Sequence, residues 1–147
     1  MNQRDILDKL GGILDAGNPG VLATIDEDGK PRVRWLTPVI LPGHPGAIYA
    51  LTVPRSPKVA HLRTNPSVEW MFQTPAFSEV LSIRGRIHVV DNPSLRRQVL
   101  EALGQRLTAL WRLTHDVADL SALETVIEEA TCYLPMDGSR EVVSFSK

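Results

Sequence analysis

The stretch from Phe77 to Val90 constrains the fold more than any other part of the chain. Leu81, Ile83, Ile87 and Val89 fall on one face at two-residue spacing, while Val80, Ser82, Arg84, Arg86, His88 and Val90 fall on the other. That alternation is the signature of a strand, and this is the longest one expected in the sequence. Gly85 in its middle marks a bulge or the close approach of another backbone. His88, flanked by arginines at the same spacing, reads as a residue of the polar face.

The remaining segments supply partners for this strand. Asn2 to Ala16 carries Ile6, Leu7, Leu10, Ile13 and Leu14 at helical spacing; Gly11-Gly12 weakens the helix and Gly17-Asn18-Pro19-Gly20 ends it. Val21 to Ile25 and Lys30 to Leu41 form a hairpin around Asp26-Glu27-Asp28-Gly29. The Asp-x-Asp-Gly fragment lacks the later ligands of a calcium loop and is a turn. Pro38 donates no ladder hydrogen bond, so this part of the second strand lies at an edge or a bend. Ala47 to Val53 and Val68 to Gln73 are further strands. Asp91-Asn92-Pro93 opens a helix whose stripe runs through Leu95, Val99, Leu103, Leu107 and Leu110, with Trp111-Arg112 at its far end. Asp119 to Glu129 reads as a shorter helix, with Ser121 and Glu124 placed like a capping box. Thr131 to Pro135 and Glu141 to Phe145 close the chain as strands around Met136-Asp137-Gly138-Ser139. The expected fold is mainly β with helices (α+β): six or seven antiparallel strands in a small barrel with helical additions, in one domain spanning residues 1–147.

Bulk composition narrows the function. With 16 basic against 17 acidic residues in 147, the chain lacks the basic surplus of an electrostatic nucleic-acid binder. Its aromatic residues are too scattered for a base-stacking platform. No basic leader with an apolar run and cleavage site begins the chain, and no apolar run nears the roughly 20 residues of a membrane span. A cytoplasmic, soluble protein is expected. The lone Cys132 excludes a disulfide framework and a multi-cysteine metal site, and reads as a buried structural thiol. The four histidines show no metal-ligand spacing, so no metal is assigned. A Gly-x-Ser-x-Gly elbow, a Gly-x-Gly-x-x-Gly turn and a Walker loop are all missing from the sequence. Glu128 and Glu129 are adjacent and point apart, so they form no acid–base pair. No catalytic side chain is assigned.

What remains is Arg55-Ser56-Pro57-Lys58, the entrance to a short helix that Asn65-Pro66 closes. Ser56 suits the N-cap, where its hydroxyl accepts from a first-turn amide, and Pro57 suits the first helical position. Free amides, the helix dipole and two cations favour phosphate. The alternative is a capped surface helix with solvated charges. Arg32 and Arg34 share a face of the second strand with Leu36, either solvated or as the wall of an anion pocket. Trp35, Thr37 and Val39 face the other way with Val33.

Taken in order, Val21-Leu22-Ala23-Thr24-Ile25, Asp28-Gly29-Lys30-Pro31, Arg34-Trp35-Leu36-Thr37, the third strand and Ser56-Pro57-Lys58 through Asn65-Pro66 resemble the pyridoxamine 5′-phosphate oxidase-like flavoproteins with an FMN-binding split β-barrel. The resemblance implies FMN as cofactor, flavin-dependent oxidoreductase activity on a small molecule, and a homodimer with the flavin in a groove between subunits. Carried over residue by residue, it implicates Arg34, Trp35, Leu36 and Thr37, then Leu51 and Thr52, then Ser56, Pro57 and Lys58, with Trp111 as a cover for the groove. It departs from the family pattern at Pro57, where an arginine often assists the phosphate lysine, and at Val80, where a glutamine often reaches the flavin. The Arg-Leu-x-Pro signature of the vitamin B6 oxidases is missing. The chain is therefore closer to the small general-stress-protein branch. A flavin-binding stress or sensor protein with little turnover is the alternative function, and deazaflavin or haem the alternative cofactors.

Overall fold

The computed structural model describes residues 1–104 and 120–145. In chain order these form α1 (Gln3–Asp15), β1 (Gly20–Ile25), β2 (Pro31–Leu36), β3 (Ala47–Thr52), α2 (Pro57–Thr64), β4 (Ser67–Gln73), β5 (Val80–Val90), α3 (Pro93–Leu103), β6 (Ser121–Leu134) and β7 (Ser139–Ser144). The seven strands make one antiparallel sheet in the order β2-β1-β4-β5-β6-β3, with β7 added alongside β6. This is the mixed α+β, split-barrel-like architecture anticipated from the alternation patterns.

The sheet curls without closing. The segment that follows β2 meets β3 at one point, where Val39 and Tyr49 exchange backbone hydrogen bonds of 2.7 and 2.8 Å. The second strand is thus shorter than its extended sequence implied. After Leu36 the chain leaves β1, and Pro38, buried and without an N–H, stands just before the bridge to β3. The rest of the gap between β2 and β3 is the split.

The curled interior is filled by Leu22, Ile48, Trp70, Phe72, Leu81, Ile83 and Ile87, and α1 seals it with Ile6, Leu10, Ile13 and Leu14. Each such side chain contributes roughly 1.5–3 kcal/mol of burial. Trp70 keeps its indole satisfied by donating to Thr125 Oγ1 at 3.0 Å. All six residues of β3 are buried, because Ile48 and Ala50 face the interior while Ala47, Tyr49 and Leu51 face a second cluster under α3, built on Val99 and Leu103.

The helix expected over Asp119 to Glu129 is a correction. From Ser121 onward the chain is instead the beginning of β6, the longest strand among the described residues, and Asp119 lies outside them. The register between β5 and β6 slips between Arg84 and Gly85, so that Glu128 is an extra residue on β6. Burial follows Leu123, Thr125 and Ile127, then shifts phase to Ala130 and Cys132. The bulge thereby spaces Leu123, Ile127 and Ala130 like one face of a helix, and Ala122 is buried as well, under α3. Gly85 is both things its position implied, since it sits at the slip and a Cβ there would lie 2.2 Å from the Val126 carbonyl oxygen. Of the long helical stripe, Leu95, Val99 and Leu103 belong to α3, which ends at Gly104; Leu107, Leu110, Trp111 and Arg112 lie outside the described residues.

Candidate functional site

Two cations meet at the end of the barrel beside α2. Arg34 lies on the inner face of β2 across from β1, where its Nη1 donates to Thr24 Oγ1 at 2.7 Å and toward the Leu22 carbonyl at 3.4 Å. Lys58, in the first turn of α2, donates from Nζ to Thr52 Oγ1 at the end of β3. Thr24 and Thr52 are both buried. Burial holds Arg34 below its ordinary value, with repulsion from Arg32 added to it. Burial likewise lowers Lys58, and Arg34 repels it further.

Neither cation has a carboxylate partner among the described residues. The neighbouring Arg32 shows the contrast. It shares the strand face of Arg34, yet its Nε binds Asp26 Oδ2 at 2.9 Å and its side chain remains largely in solvent. Asp26 is itself fixed by the amides of Asp28 and Lys30, both at 2.9 Å from Oδ1, so the acidic turn consumes one arginine and leaves the other. Partly desolvated cations bonded only to neutral oxygens are an arrangement that an anion would improve.

The remaining expected site residues divide in two. Ser56 occupies the N-cap position of α2, but its side chain makes no capping hydrogen bond, which corrects the expected role of its hydroxyl. That hydroxyl is left available beside Lys58. Leu51 turns its side chain into the cluster beneath α3, so only its backbone can serve the split. Since Tyr49 bonds across to Val39 and alternate residues of a strand point their peptide groups the same way, the N–H and C=O of Leu51 face the open edge. Leu36 and Thr37 are half-buried along the segment that leads to the bridge, and Pro57 is exposed at the helix start.

Trp35 does not join the cations. It projects from the opposite face of β2, 78% exposed, beside Val33 and in register with Val21 and Met71. Trp111 lies outside the described residues. Sequence reasoning missed Thr24, whose hydroxyl positions Arg34; the signal was a polar residue at an inward position of β1. It also missed the pairing of His61 Nε2 on α2 with Glu27 Oε2 at 2.9 Å, which ties α2 to the acidic turn. Among the described residues, no helix is long and apolar enough to cross a membrane, and no three His, Cys, Asp or Glu side chains are grouped to hold a metal.

Comparison with known proteins bears on the family and the fold. A family model described as pyridoxamine 5′-phosphate oxidase matches residues 6–132. A Clostridium acetobutylicum protein related to general stress protein 26 of B. subtilis superposes with a TM-score of 0.77 at 14% identity, covering 99% of this chain and 97% of its own. An F420 reductase gives a TM-score of 0.66 at 21% identity, covering 81% and 93% of the two chains. A haem-binding protein from Mycobacterium smegmatis gives 0.70 at 18% identity, covering 94% of this chain and 57% of its own. At these identities the structural likeness speaks for the fold. No curated protein matches the chain in sequence.

Proposed function

Because the chain belongs to the pyridoxamine 5′-phosphate oxidase family, we propose that it binds FMN in the split between β2 and β3 and serves as a flavin-dependent oxidoreductase for a small molecule. The observation that carries this reading is the pair Arg34 and Lys58, two desolvated cations without an acid between them. The donor set fits the FMN phosphate: a planar guanidinium fork, an ammonium, the Ser56 hydroxyl and the first amides of α2. Pro57 withholds the second guanidinium common in the family, and the half-buried position of Lys58 strengthens its attraction for an anion through the lower local dielectric.

In this reading each element of the chain has a separate task. Lys58 and Arg34 neutralise the phosphate and anchor one end of the ligand. The peptide group of Leu51, on the open edge of β3, offers a donor and an acceptor to the polar rim of a planar ring. When bound, FMN supplies the hydride and electron transfer; the protein supplies position, electrostatics and exclusion of water. The apolar row of exposed Trp35 and Met71, with half-buried Val21 between them, supports a second copy of the chain as the cover for that face, and hence a homodimer.

A deazaflavin is the second reading, supported by the likeness to the F420 reductase. Haem is less well supported by the side chains. His61 is engaged with Glu27, His44 packs edge-on against Tyr49, and His88 is an exposed residue of β5. The absorbance spectrum of the purified protein, before and after FMN is added and excess removed, tests the assignment. One flavin per chain supports it; a haem band, or failure to retain FMN, overturns it. Rapid reduction by a nicotinamide nucleotide with reoxidation by an acceptor separates an oxidoreductase from a flavin-binding stress or sensor protein.

A further inference from the structure

A second basic cleft lies near α2, lined by neither Arg34 nor Lys58; Arg55, which the sequence placed with Lys58 at the helix mouth, lines this cleft. It holds about 710 Å3 and is bounded by Val53, Pro54 and Arg55 after β3, Arg63 of α2, Val89, Val90 and Asp91 at the end of β5, Arg96 of α3, and Leu120 with Ser121 at the start of β6. A volume of this order is ordinary for a small-molecule site.

Three separate parts of the chain thus bring an arginine to one cleft, in a molecule whose net charge is only -1. None of the three forms an ion pair with a carboxylate among the described residues. Among the described lining residues Asp91 is the one acid, so three guanidiniums against one carboxylate leave two positive charges in surplus there. Arg96 is held in place by donating from Nη1 to the Leu120 carbonyl at 3.3 Å, which leaves its other N–H groups available. The walls between the charges are apolar, from Val53, Val89, Val90 and Leu120, and Val53 is 40% exposed.

We propose that this cleft is a binding site for a small organic dianion with an apolar body, separate from the site of Arg34 and Lys58. The guanidinium forks take the anionic group, as they do carboxylates and phosphates generally. The valine and leucine walls take the body, so an inorganic anion of the same charge binds less tightly. Phosphate monoesters and dicarboxylates share this chemistry.

Phenyl phosphate, with a dianionic head and a six-carbon ring, is the probe, and calorimetric titration into the full chain saturated with FMN is the measurement. Saturable binding to one site is expected, at least tenfold tighter than inorganic phosphate. Arg55→Ala combined with Arg63→Ala, both changes at exposed side chains, weakens it at least tenfold, while Lys58→Ala, titrated without FMN, leaves it unchanged. Succinate in place of phenyl phosphate tells whether the site prefers a carboxylate pair or a phosphate. Absence of saturable binding, indifference to the double arginine change, or loss of binding in Lys58→Ala overturns the proposal. Because the Lys58 comparison is made without FMN, it stands whether or not the flavin assignment does.

Discussion

The Lys58 ammonium lies below its ordinary value, first because burial strips away its water and second because the Arg34 guanidinium repels it. One cation comes from the strand at one end of the sheet order and the other from the helix that follows the strand at the opposite end. The fold therefore holds two like charges together across its own split, bonded to threonine hydroxyls that cannot neutralise either.

Such an arrangement costs the empty protein stability, which the first prediction measures. Lys58→Met, nearly the same in length, is expected to stabilise the cofactor-free protein by about 1 kcal/mol while weakening FMN binding at least a hundredfold. Urea denaturation and quenching of FMN fluorescence read the two effects. The pH dependence has a definite sign. Between the lowered folded value and the unfolded value of about 10.4 the unfolded chain holds more protons, so this group makes stability rise with pH there. The methionine variant loses that rise. A destabilised variant with undiminished FMN affinity contradicts both the site and its electrostatics.

The two helix entrances make a second comparison. Asn92 accepts hydrogen bonds from the amides of Ser94 and Leu95 at 3.0 and 3.2 Å, whereas Ser56 caps nothing. Asn92→Ala should cost about 1 kcal/mol, and Ser56→Ala only a few tenths at most. Ser56→Ala should instead weaken FMN binding about five- to tenfold, by removing one hydroxyl from the phosphate. A large stability loss at Ser56 in thermal melts of the cofactor-free protein would contradict its cap geometry.

At the bulge, Gly85→Ala forces a methyl group against a backbone oxygen of β6, which has no flexible end to move aside. The expected loss is about 2–4 kcal/mol, seen as a lower urea midpoint. Neutrality would mean that β6 slips freely at Glu128.

Asp26 governs the acid limb. The Lys30 amide holds its carboxyl below the usual range; the amide of Asp28 and the Arg32 guanidinium add to this, while desolvation works against it. A lowered carboxylate contributes stability that is fully present above the unfolded value of about 3.9 and is lost as pH falls through the folded one. Asp26→Asn should flatten the drop in stability below about pH 4. An unchanged acid profile assigns that limb to other carboxylates.

Most of this fold can be read from alternation and turn chemistry. The inward residues of β5, the span of α2 between Ser56 and Asn65-Pro66, and the acidic turn all follow from local rules. The helix expected over Asp119 to Glu129 rested on Ser121 and Glu124 placed like a capping box, and it failed because the fold gives both residues strand partners, Ser121 opposite Thr52 and Glu124 opposite Tyr49. The run from Lys30 to Leu41 divided because its second part pairs with a strand at the far end of the sheet order, a choice made by tertiary closure. At the candidate site, motif order singled out Arg34, Thr52 and Lys58, and the structure gives Arg34 a hydrogen bond to Thr24 and Lys58 one to Thr52. That Arg32 would be claimed by Asp26, and that Ser56 would leave its hydroxyl unused, depended on which partners the fold brought within reach.

The single bridge between Val39 and Tyr49 also bears on how the protein behaves in crowded company. Beyond it, the outward peptide groups of β3 at Leu51 offer pairing to any extended segment that arrives, the usual starting point for strand-to-strand aggregation. In the proposed function, a flat ligand seated against that edge would shield it from such pairing. Cofactor supply would then set not only how much of the protein is active but how much of it stays in solution.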